Sequence, residues 1–145
     1  MEFDPSLPWR NVRGEGFNAH IGPVRFAPVS ASEWRCALEL RDHHLNAGGV
    51  CHGGVLLTVA DVAMGAGSYA AGGDHPCATI ELSSQFLAAA KRGQTLIADA
   101  RQLRRVRDLS FMDCEIWAGG RRVMRASGIW KYLASRGPGQ SGPVK

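Results

Sequence analysis

The stretch Gly53–Ala71 constrains the fold of this chain more than any other part of the sequence. It is built almost wholly from small and apolar residues and contains a single charge, Asp61. Its larger side chains follow helical spacing, at Val55, Val59, Val62, Ala66 and Tyr69. Gly65 and Gly67 lie inside it, and each costs about 1 kcal/mol against alanine. Such a helix is favoured where other backbone comes very close, so we predict a central helix that the rest of the chain encloses.

Strand patterns follow and precede this helix. Alternating or extended segments predict strands over Trp34–Arg41, Ala78–Phe86, Thr95–Val106 and Leu109–Trp117. Gly119-Gly120 is typical of a tight hairpin turn, and the returning strand puts alternate residues from Met124 to Tyr132 on one face. We therefore predict an α+β fold in which a curved antiparallel sheet wraps round one long helix.

The 145 residues are enough for one domain, and the composition is that of an ordinary soluble globular protein. Residues 1–20 read as an irregular N-terminal segment, 21–135 as the domain and 136–145, rich in Gly and Pro, as a disordered tail. The first sixteen residues hold no apolar run typical of a secretory signal. The four cysteines form no C-x-x-C pair, so we expect reduced thiols and a cytoplasmic location.

A membrane span is the alternative interpretation of the apolar stretch. It is rich in Gly and Ala and holds Asp61, whose insertion at mid-bilayer costs about 2.5–3.5 kcal/mol. We therefore expect a buried helix in a protein with no membrane partner.

Asp61 is the residue that most needs explaining. A buried carboxylate without partners costs several kcal/mol even after relaxation. Asp61 therefore either lies on a solvated face or beside a local donor, or it faces a cleft where partial desolvation makes it a stronger base or nucleophile.

The start of the helix supplies a second candidate group. Gly53 and Gly54 allow a ligand close to the first backbone N–H groups, which lack partners within the helix and carry the positive end of its dipole. An oxyanion would be stabilised there, although His-Gly-Gly alone also fits a plain turn. Eight residues separate Gly53 from Asp61, about 12 Å along a helix. One carbonyl therefore contacts both only if they come from two copies of the chain, so we predict composite sites in a two-fold dimer.

These residues carry a resemblance. Asn46, His52-Gly53-Gly54 and Asp61, within NAGGVCHGG and LLTVADVAMG, resemble the N-x-x-G-x-x-H-G-G…D signature of hotdog-fold acyl-CoA thioesterases of the phenylacetate-degradation type. The resemblance runs from about Ser30 to Leu133 and includes TIELSSQFLAAAKRG, from Thr79.

The resemblance implies a role for each matching position. Asp61 corresponds to the catalytic carboxylate, acting as general base or nucleophile, and Gly53 to the backbone N–H that polarises the thioester carbonyl. Asn46 and His52 correspond to residues that orient the substrate or water, and Thr79 to a residue that positions water. The resemblance further implies homo-oligomers, dimers or dimers of dimers, and no metal or separate cofactor, because coenzyme A is part of the substrate.

The basic half of the chain fits a phosphorylated ligand. Residues 91–136 carry 11 basic and 4 acidic side chains, net +7, against +4 for the whole chain. Because arginine and lysine hold phosphate well, Lys91, Arg92, Arg105 and Arg107 are candidates to bind coenzyme A. A solvated arginine-rich sheet face explains the same pattern.

Other site classes are less well supported. Asp42, His43, His44, Cys51 and His52 lack zinc-site spacing, and His43 and His44 fit a strand end. Cys51 beside His52 suggests a thiol nucleophile, but a buried inert thiol is commoner. The basic stretch Gln102–Asp108 lacks interleaved aromatic residues for nucleic acid. A non-catalytic acyl-CoA-binding module and a hotdog hydratase or dehydratase are the remaining alternatives.

Overall fold

The structure, a computed structural model, describes residues 1–134, so the predicted disordered tail 136–145 lies outside the described residues. Within this range the chain is α+β, as predicted. Its elements are β1 (Arg10–Asn11), α1 (Phe17–Ile21), β2 (Arg25–Pro28), β3 (Glu33–Glu39), a 3-10 helix (Asp42–His44), α2 (Gly53–Ala71), β4 (Cys77–Phe86), β5 (Thr95–Val106), β6 (Leu109–Ala118) and β7 (Arg121–Tyr132).

The strands of residues 1–134 form one seven-stranded antiparallel sheet in the order β1-β2-β3-β5-β6-β7-β4. Strands β3 to β7 all contact α2, so the sheet curves round the helix and buries one of its faces. The edges β1 and β4 therefore lie on either side of the helix face that the sheet leaves uncovered. This arrangement decides where a ligand can reach the helix.

Helix α2 has the bounds that the sequence predicted. It is long and apolar enough to cross a membrane, but 44% of its apolar window is buried within the protein, and the sheet wraps it as a core helix. Its glycines accommodate tryptophan rings rather than the backbone that we expected. A Cβ on Gly67 would lie 2.9 Å from Cε3 of Trp34, and one on Gly65 would lie 3.1 Å from Nε1 of Trp130. The rings need this room because each is buried against the helix.

The long strands and their hairpin also match the sequence predictions. Strand β5 has the predicted bounds, and β6 extends one residue further, to Ala118. The turn between β6 and β7 holds Gly119 at φ 55° and Gly120 at φ 73°. Two consecutive positive φ angles are what a two-residue hairpin turn requires, and glycine adopts them without steric cost.

The N-terminal region contains more structure than the sequence suggested. Within 1–20, predicted to be irregular, Arg10–Asn11 pairs with β2, and α1 begins at Phe17. Strand β2 was not predicted, because four residues are too few to show a period. His43 and His44, predicted to end a strand, instead lie in the 3-10 helix.

Strand β4 is more exposed than its alternating pattern predicts. Ile80 is 56% exposed and Phe86 54%, although both belong to the apolar set of the strand. Among residues 1–134 the strand is paired on one side only, with β7, and a bulge between Thr79 and Glu81 shifts its register. A single chain therefore leaves an apolar strand edge open to solvent. Such an edge is typical of a strand that pairs with another chain.

Gly128 of β7 fixes how closely β4 approaches. A Cβ at this position would lie 2.5 Å from the Glu81 carbonyl oxygen and 2.7 Å from the ring of Trp130. We expect Gly128→Ala to lower the free energy of unfolding by about 1–3 kcal/mol, because β4 backbone must move. Chemical denaturation measures this change. Ser127→Ala, one residue away on the opposite face, should change it by less than about 0.5 kcal/mol, and equal effects would contradict the steric explanation.

Candidate active site

A cleft of about 620 Å³ opens where the sheet leaves α2 uncovered. Its floor is a face of the helix, formed by Asp61, Val62, Gly65, Ala66, Tyr69 and Ala70. Cys77 and Thr79 of β4 line one side, and residues 10–13 line another. The cleft therefore lies between the two edges of the sheet, with a mainly apolar floor and polar side chains on its walls.

Asp61 and Thr79 meet in this cleft. The Thr79 hydroxyl donates a 2.7 Å hydrogen bond to Oδ1 of Asp61. Oδ2 of Asp61 accepts no side-chain hydrogen bond from residues 1–134, and the side chain is only half-buried. Of the two possibilities left by the sequence, Asp61 thus has both a local donor and a cleft, with one oxygen free to accept a proton.

The start of α2 is capped by His52. Nδ1 of His52 accepts the N–H of Gly54 at 2.8 Å, and the His52 N–H donates to the His44 carbonyl at 2.8 Å. Because Nδ1 is an acceptor, the neutral ring carries its proton on Nε2. The Gly53 N–H has no acceptor among residues 1–134, so it remains available at the positive end of the helix dipole.

Asn46 organises the loop before the helix. Its Oδ1 accepts the N–H groups of Gly48 at 2.9 Å and Val50 at 3.3 Å, and a bridge joins Leu45 to Cys51. The carbonyl oxygen of the side chain is thus used within the loop. Its amide nitrogen is the group left to contact a ligand.

His44 is a positioning residue that the sequence did not reveal. It is buried, its Nδ1 accepts the Arg41 N–H at 2.9 Å, and its Nε2 contacts the Ile21 carbonyl at 2.6 Å. Since a carbonyl only accepts, Nε2 donates and the neutral ring satisfies both partners. Burial lowers the pKa of His44. The neutral side chain thereby fixes the backbone carbonyl that holds His52, and the long-range contact with Ile21 leaves no trace in the local sequence.

The five predicted site residues form two groups within one chain. Asp61 and Thr79 share the cleft, whereas Asn46, His52 and Gly53 lie at the start of α2. Since Gly53 and Asp61 belong to one continuous helix, their backbones are about 12 Å apart along its axis.

The four basic candidates are also divided. Lys91 bridges to Val50 in the loop before α2, and Arg92 forms a 2.8 Å ion pair with Asp42 at the surface. The Arg105 guanidinium lies 4.1 Å from the ring centroid of Tyr132, whose hydroxyl donates to the Ser68 carbonyl near the end of α2. Arg107 follows in the turn between β5 and β6. The two pairs therefore lie near opposite ends of the helix.

The four cysteines, all within residues 1–134, are free thiols. Burial raises the pKa of Cys51 to about 11, and burial together with the nearby Asp61 charge raises that of Cys77 to about 11. Little thiolate exists at neutral pH, so neither has the character of a nucleophile. Within residues 1–134, no three His, Cys, Asp or Glu side chains cluster as metal ligands.

Comparison with known proteins identifies the family. Residues 48–125, which contain the start of α2, Asp61 and Thr79, match the Thioesterase superfamily. The chain is also 33% identical over 111 residues to the Pseudomonas aeruginosa protein named "Putative esterase PA0474", covering 76% of this chain and 83% of that relative. The chain belongs to the Thioesterase superfamily.

Solved structures of other proteins share the fold. The E. coli PaaI protein of the phenylacetic acid degradation operon superposes with a TM-score of 0.74 at 20% identity, covering 81% of this chain and 83% of that chain. A thioesterase-fold protein of Streptococcus pneumoniae, solved with coenzyme A, superposes with a TM-score of 0.71 at 23% identity, covering 79% and 88%. At these identities the likeness establishes the hotdog fold, with a long helix wrapped by the sheet.

Thiol reactivity tests whether Cys51 is inert. We expect Ellman's reagent to label the folded protein slowly at pH 7.5, because three cysteines are buried and the pKa of both Cys51 and Cys77 is raised to about 11. All four thiols should react at once in guanidinium chloride. Cys77, which lines the cleft, should be the first to react in the folded state. Rapid labelling of Cys51, located by mass spectrometry, would restore it as a candidate nucleophile.

Proposed function

We propose that this member of the Thioesterase superfamily hydrolyses the thioester of an acyl- or aryl-coenzyme A. The observation that carries this proposal is the Asp61–Thr79 pair at the cleft, 2.7 Å apart, beside a helix surface shaped to receive an apolar group. The substrate class also draws on the Streptococcus pneumoniae neighbour, whose structure holds coenzyme A.

Asp61 supplies the first half of the chemistry. As a general base its free Oδ2 takes a proton from water while the water oxygen attacks the thioester carbonyl carbon. The C–S bond of the tetrahedral intermediate then breaks, and the thiolate of coenzyme A takes the proton from Asp61. The carboxylate attacking the carbonyl directly, with water hydrolysing the resulting anhydride, is the alternative route. In both, the Thr79 hydroxyl holds the carboxylate in place.

The Gly53 N–H supplies the second half. It is unpaired among residues 1–134 and lies at the positive end of the dipole of a 19-residue helix. A donor fixed there stabilises the negative oxygen of the tetrahedral intermediate more than the neutral carbonyl, and so lowers the barrier. His52 Nε2 and the Asn46 amide nitrogen are the neighbouring donors that we assign to orienting the substrate or water.

The two halves come together only in a dimer. A two-fold axis that sets Gly53 against Asp61 of the partner subunit also sets Asp61 against the partner's Gly53. The midpoint of this stretch, Leu57, then lies at the axis. Leu57 is 37% exposed in a single chain, an unusual exposure for a leucine in a wrapped helix, and contact with a second copy would cover it.

Strand β4 supports the same axis. Thr79 contacts Asp61, and the ring of Phe86 lies 3.2 Å from where a Gly53 Cβ would be, so β4 runs antiparallel to the helix. An axis through Leu57 therefore passes near Leu82, midway between Thr79 and Phe86. The unpaired edge of β4 would then meet the partner's β4 as an antiparallel neighbour, with Ile80 and Phe86 covered. We propose this dimer, alone or paired into a tetramer, as the active unit.

The proposed reaction needs no separate cofactor, because coenzyme A is part of the substrate, but the phosphates of coenzyme A need basic side chains to bind them. Lys91 and Arg92 are better candidates for its phosphates than Arg105 and Arg107, because they lie beside the loop that leads into Gly53. Arg105 and Arg107 lie near the opposite end of α2, which is about 28 Å long. The four free thiols support the proposal of a reducing, cytoplasmic setting.

Asp61→Asn tests the proposed function. The amide keeps the shape and the hydrogen bond with Thr79 but accepts no proton, so we expect kcat with acyl-CoA substrates to fall by about 10²–10⁴-fold. A panel of aryl- and acyl-CoA thioesters, assayed with a thiol-detecting reagent, measures the rates. Circular dichroism and light scattering should show an unchanged fold and oligomer.

Asp113→Asn, on the face of the sheet away from α2, is the matched control and should keep full turnover. Wild-type-like turnover by Asp61→Asn would remove Asp61 from the mechanism. Tight binding of acyl-CoA with no hydrolysis by the wild-type protein would instead identify a non-catalytic binding module.

A further inference from the structure

The wall of the cleft opposite β4 carries unpaired positive charge. Arg10, Arg13 and Asn18 line the cleft together with Asp61. Neither arginine takes part in an ion pair formed among residues 1–134, although six such pairs occur there. Asn18 likewise uses its side-chain amide in no hydrogen bond within the described part of the chain. Three strong donors therefore face the cleft without acceptors.

The fold holds this wall in place. Arg10 pairs with Phe26 across β1 and β2, and its guanidinium lies 5.7 Å from the centroid of the Phe26 ring, which also lines the cleft. The Val12 N–H donates to the Val24 carbonyl at 2.8 Å, which ties the chain down between the two arginines. These contacts keep the N-terminal segment against the cleft.

We propose that Arg10 and Arg13 recognise a carboxylate at the far end of the substrate's acyl group, so that the preferred substrates are thioesters of dicarboxylic acids. This inference rests on the proposed function. A thioester carbonyl at Asp61 and Thr79 sends its acyl group over the apolar floor of Val62, Gly65 and Ala66, towards the arginine wall.

The chemistry of the wall favours this ligand end. An arginine binds a carboxylate through two parallel hydrogen bonds, and Asn18 adds an amide donor. A methyl end offers these donors no acceptor. Asp61 and Asp74 also line the cleft and repel a carboxylate, so the arginines must offset them for such a substrate to be preferred.

Matched pairs of thioesters test the proposal. Glutaryl, adipyl and suberyl thioesters of coenzyme A are compared with pentanoyl, hexanoyl and octanoyl thioesters of the same chain lengths. For at least one length we expect kcat/KM to be about ten-fold higher for the carboxylate-ended substrate, the size of one charge-assisted hydrogen bond. The double variant Arg10→Met/Arg13→Met should abolish this preference by lowering kcat/KM for the carboxylate-ended substrate about ten-fold more than for its methyl-ended partner, because methionine retains the apolar part of the stem but offers no donor.

Arg121→Met, at the exposed start of β7, is the matched control and should leave the preference unchanged. Pantetheine thioesters of the same acids, which lack the nucleotide and its phosphates, should show the same preference and the same loss. If the double variant instead weakens both members of each CoA pair equally and has no effect on pantetheine thioesters, the arginines bind coenzyme A phosphates and the inference is wrong. It is equally wrong if the wild-type protein prefers methyl-ended substrates at every length.

Failure of the proposed function has a different signature. If the wild-type protein hydrolyses the methyl-ended thioesters but shows no preference for a carboxylate, only the present inference fails. If it hydrolyses neither the methyl-ended nor the carboxylate-ended thioesters, the proposed function fails. Calorimetric titration with non-hydrolysable thioethers of the same acids then measures recognition directly. Tighter binding of the carboxylate-ended thioether, lost in the double variant, supports recognition by the arginines, and equal binding overturns it.

Discussion

One helix holds, at a fixed separation, the two groups to which we assign the proposed hydrolysis. The Gly53 N–H and the Asp61 carboxylate lie on the same 19-residue α2, about 12 Å apart along its axis. No side-chain rotation closes that gap. In the proposed dimer, each chain therefore contributes its Asp61 to one site and its Gly53 to the other. The proposed dimer follows from this constraint, and the exposed Leu57 and the unpaired edge of β4 are the features that it would use.

The remaining architecture keeps that helix buried on one side and accessible on the other. Gly65 and Gly67 give room for Trp130 and Trp34, so the sheet approaches closely on the buried side. The sheet stops before closing, and its two edges leave the cleft above Asp61. Gly65 also lines that cleft, where it and Ala66 leave the floor without bulky side chains.

Much of this organisation could be predicted because it depends on local patterns. The helix bounds, the bounds of β5 and the Gly119-Gly120 turn follow from periodicity and from the φ angles that glycine adopts. The hydrogen bond between Asp61 and Thr79 was not predicted, since the resemblance implied a separate role for each residue. It depends on the register of β4 against α2. A bulge between Thr79 and Glu81 shifts the register of β4 against β7, and Gly128 of β7 leaves room for the Glu81 carbonyl beside it. No local pattern encodes these contacts between distant strands.

Other features could not be read from the sequence. His44 matters through a contact with the Ile21 carbonyl, 23 residues away along the chain. Arg10 and Arg13 reach the cleft because a two-residue strand pairs with β2, and such a strand is too short to show a period. The exposure of Ile80 and Phe86 contradicts a half-buried strand only when one chain is considered alone, since a sequence pattern does not distinguish the chain's own core from an interface.

Mixing two inactive subunits tests the shared site most directly. Asp61→Asn removes the carboxylate, and Gly53→Pro removes the N–H with little backbone strain, because proline is tolerated at the first helical position and His52 already has φ −61° and ψ 136°. Gly53→Ala, which keeps the N–H, controls for the Cβ that proline places 3.2 Å from the Phe86 ring. Asp61→Asn and Gly53→Pro should each be inactive alone. After subunit exchange in equal amounts, half of the dimers are mixed and each has one intact site, so activity should recover to about a quarter of wild type. No recovery, with mixed dimers confirmed by native mass spectrometry, would contradict a site built from two chains.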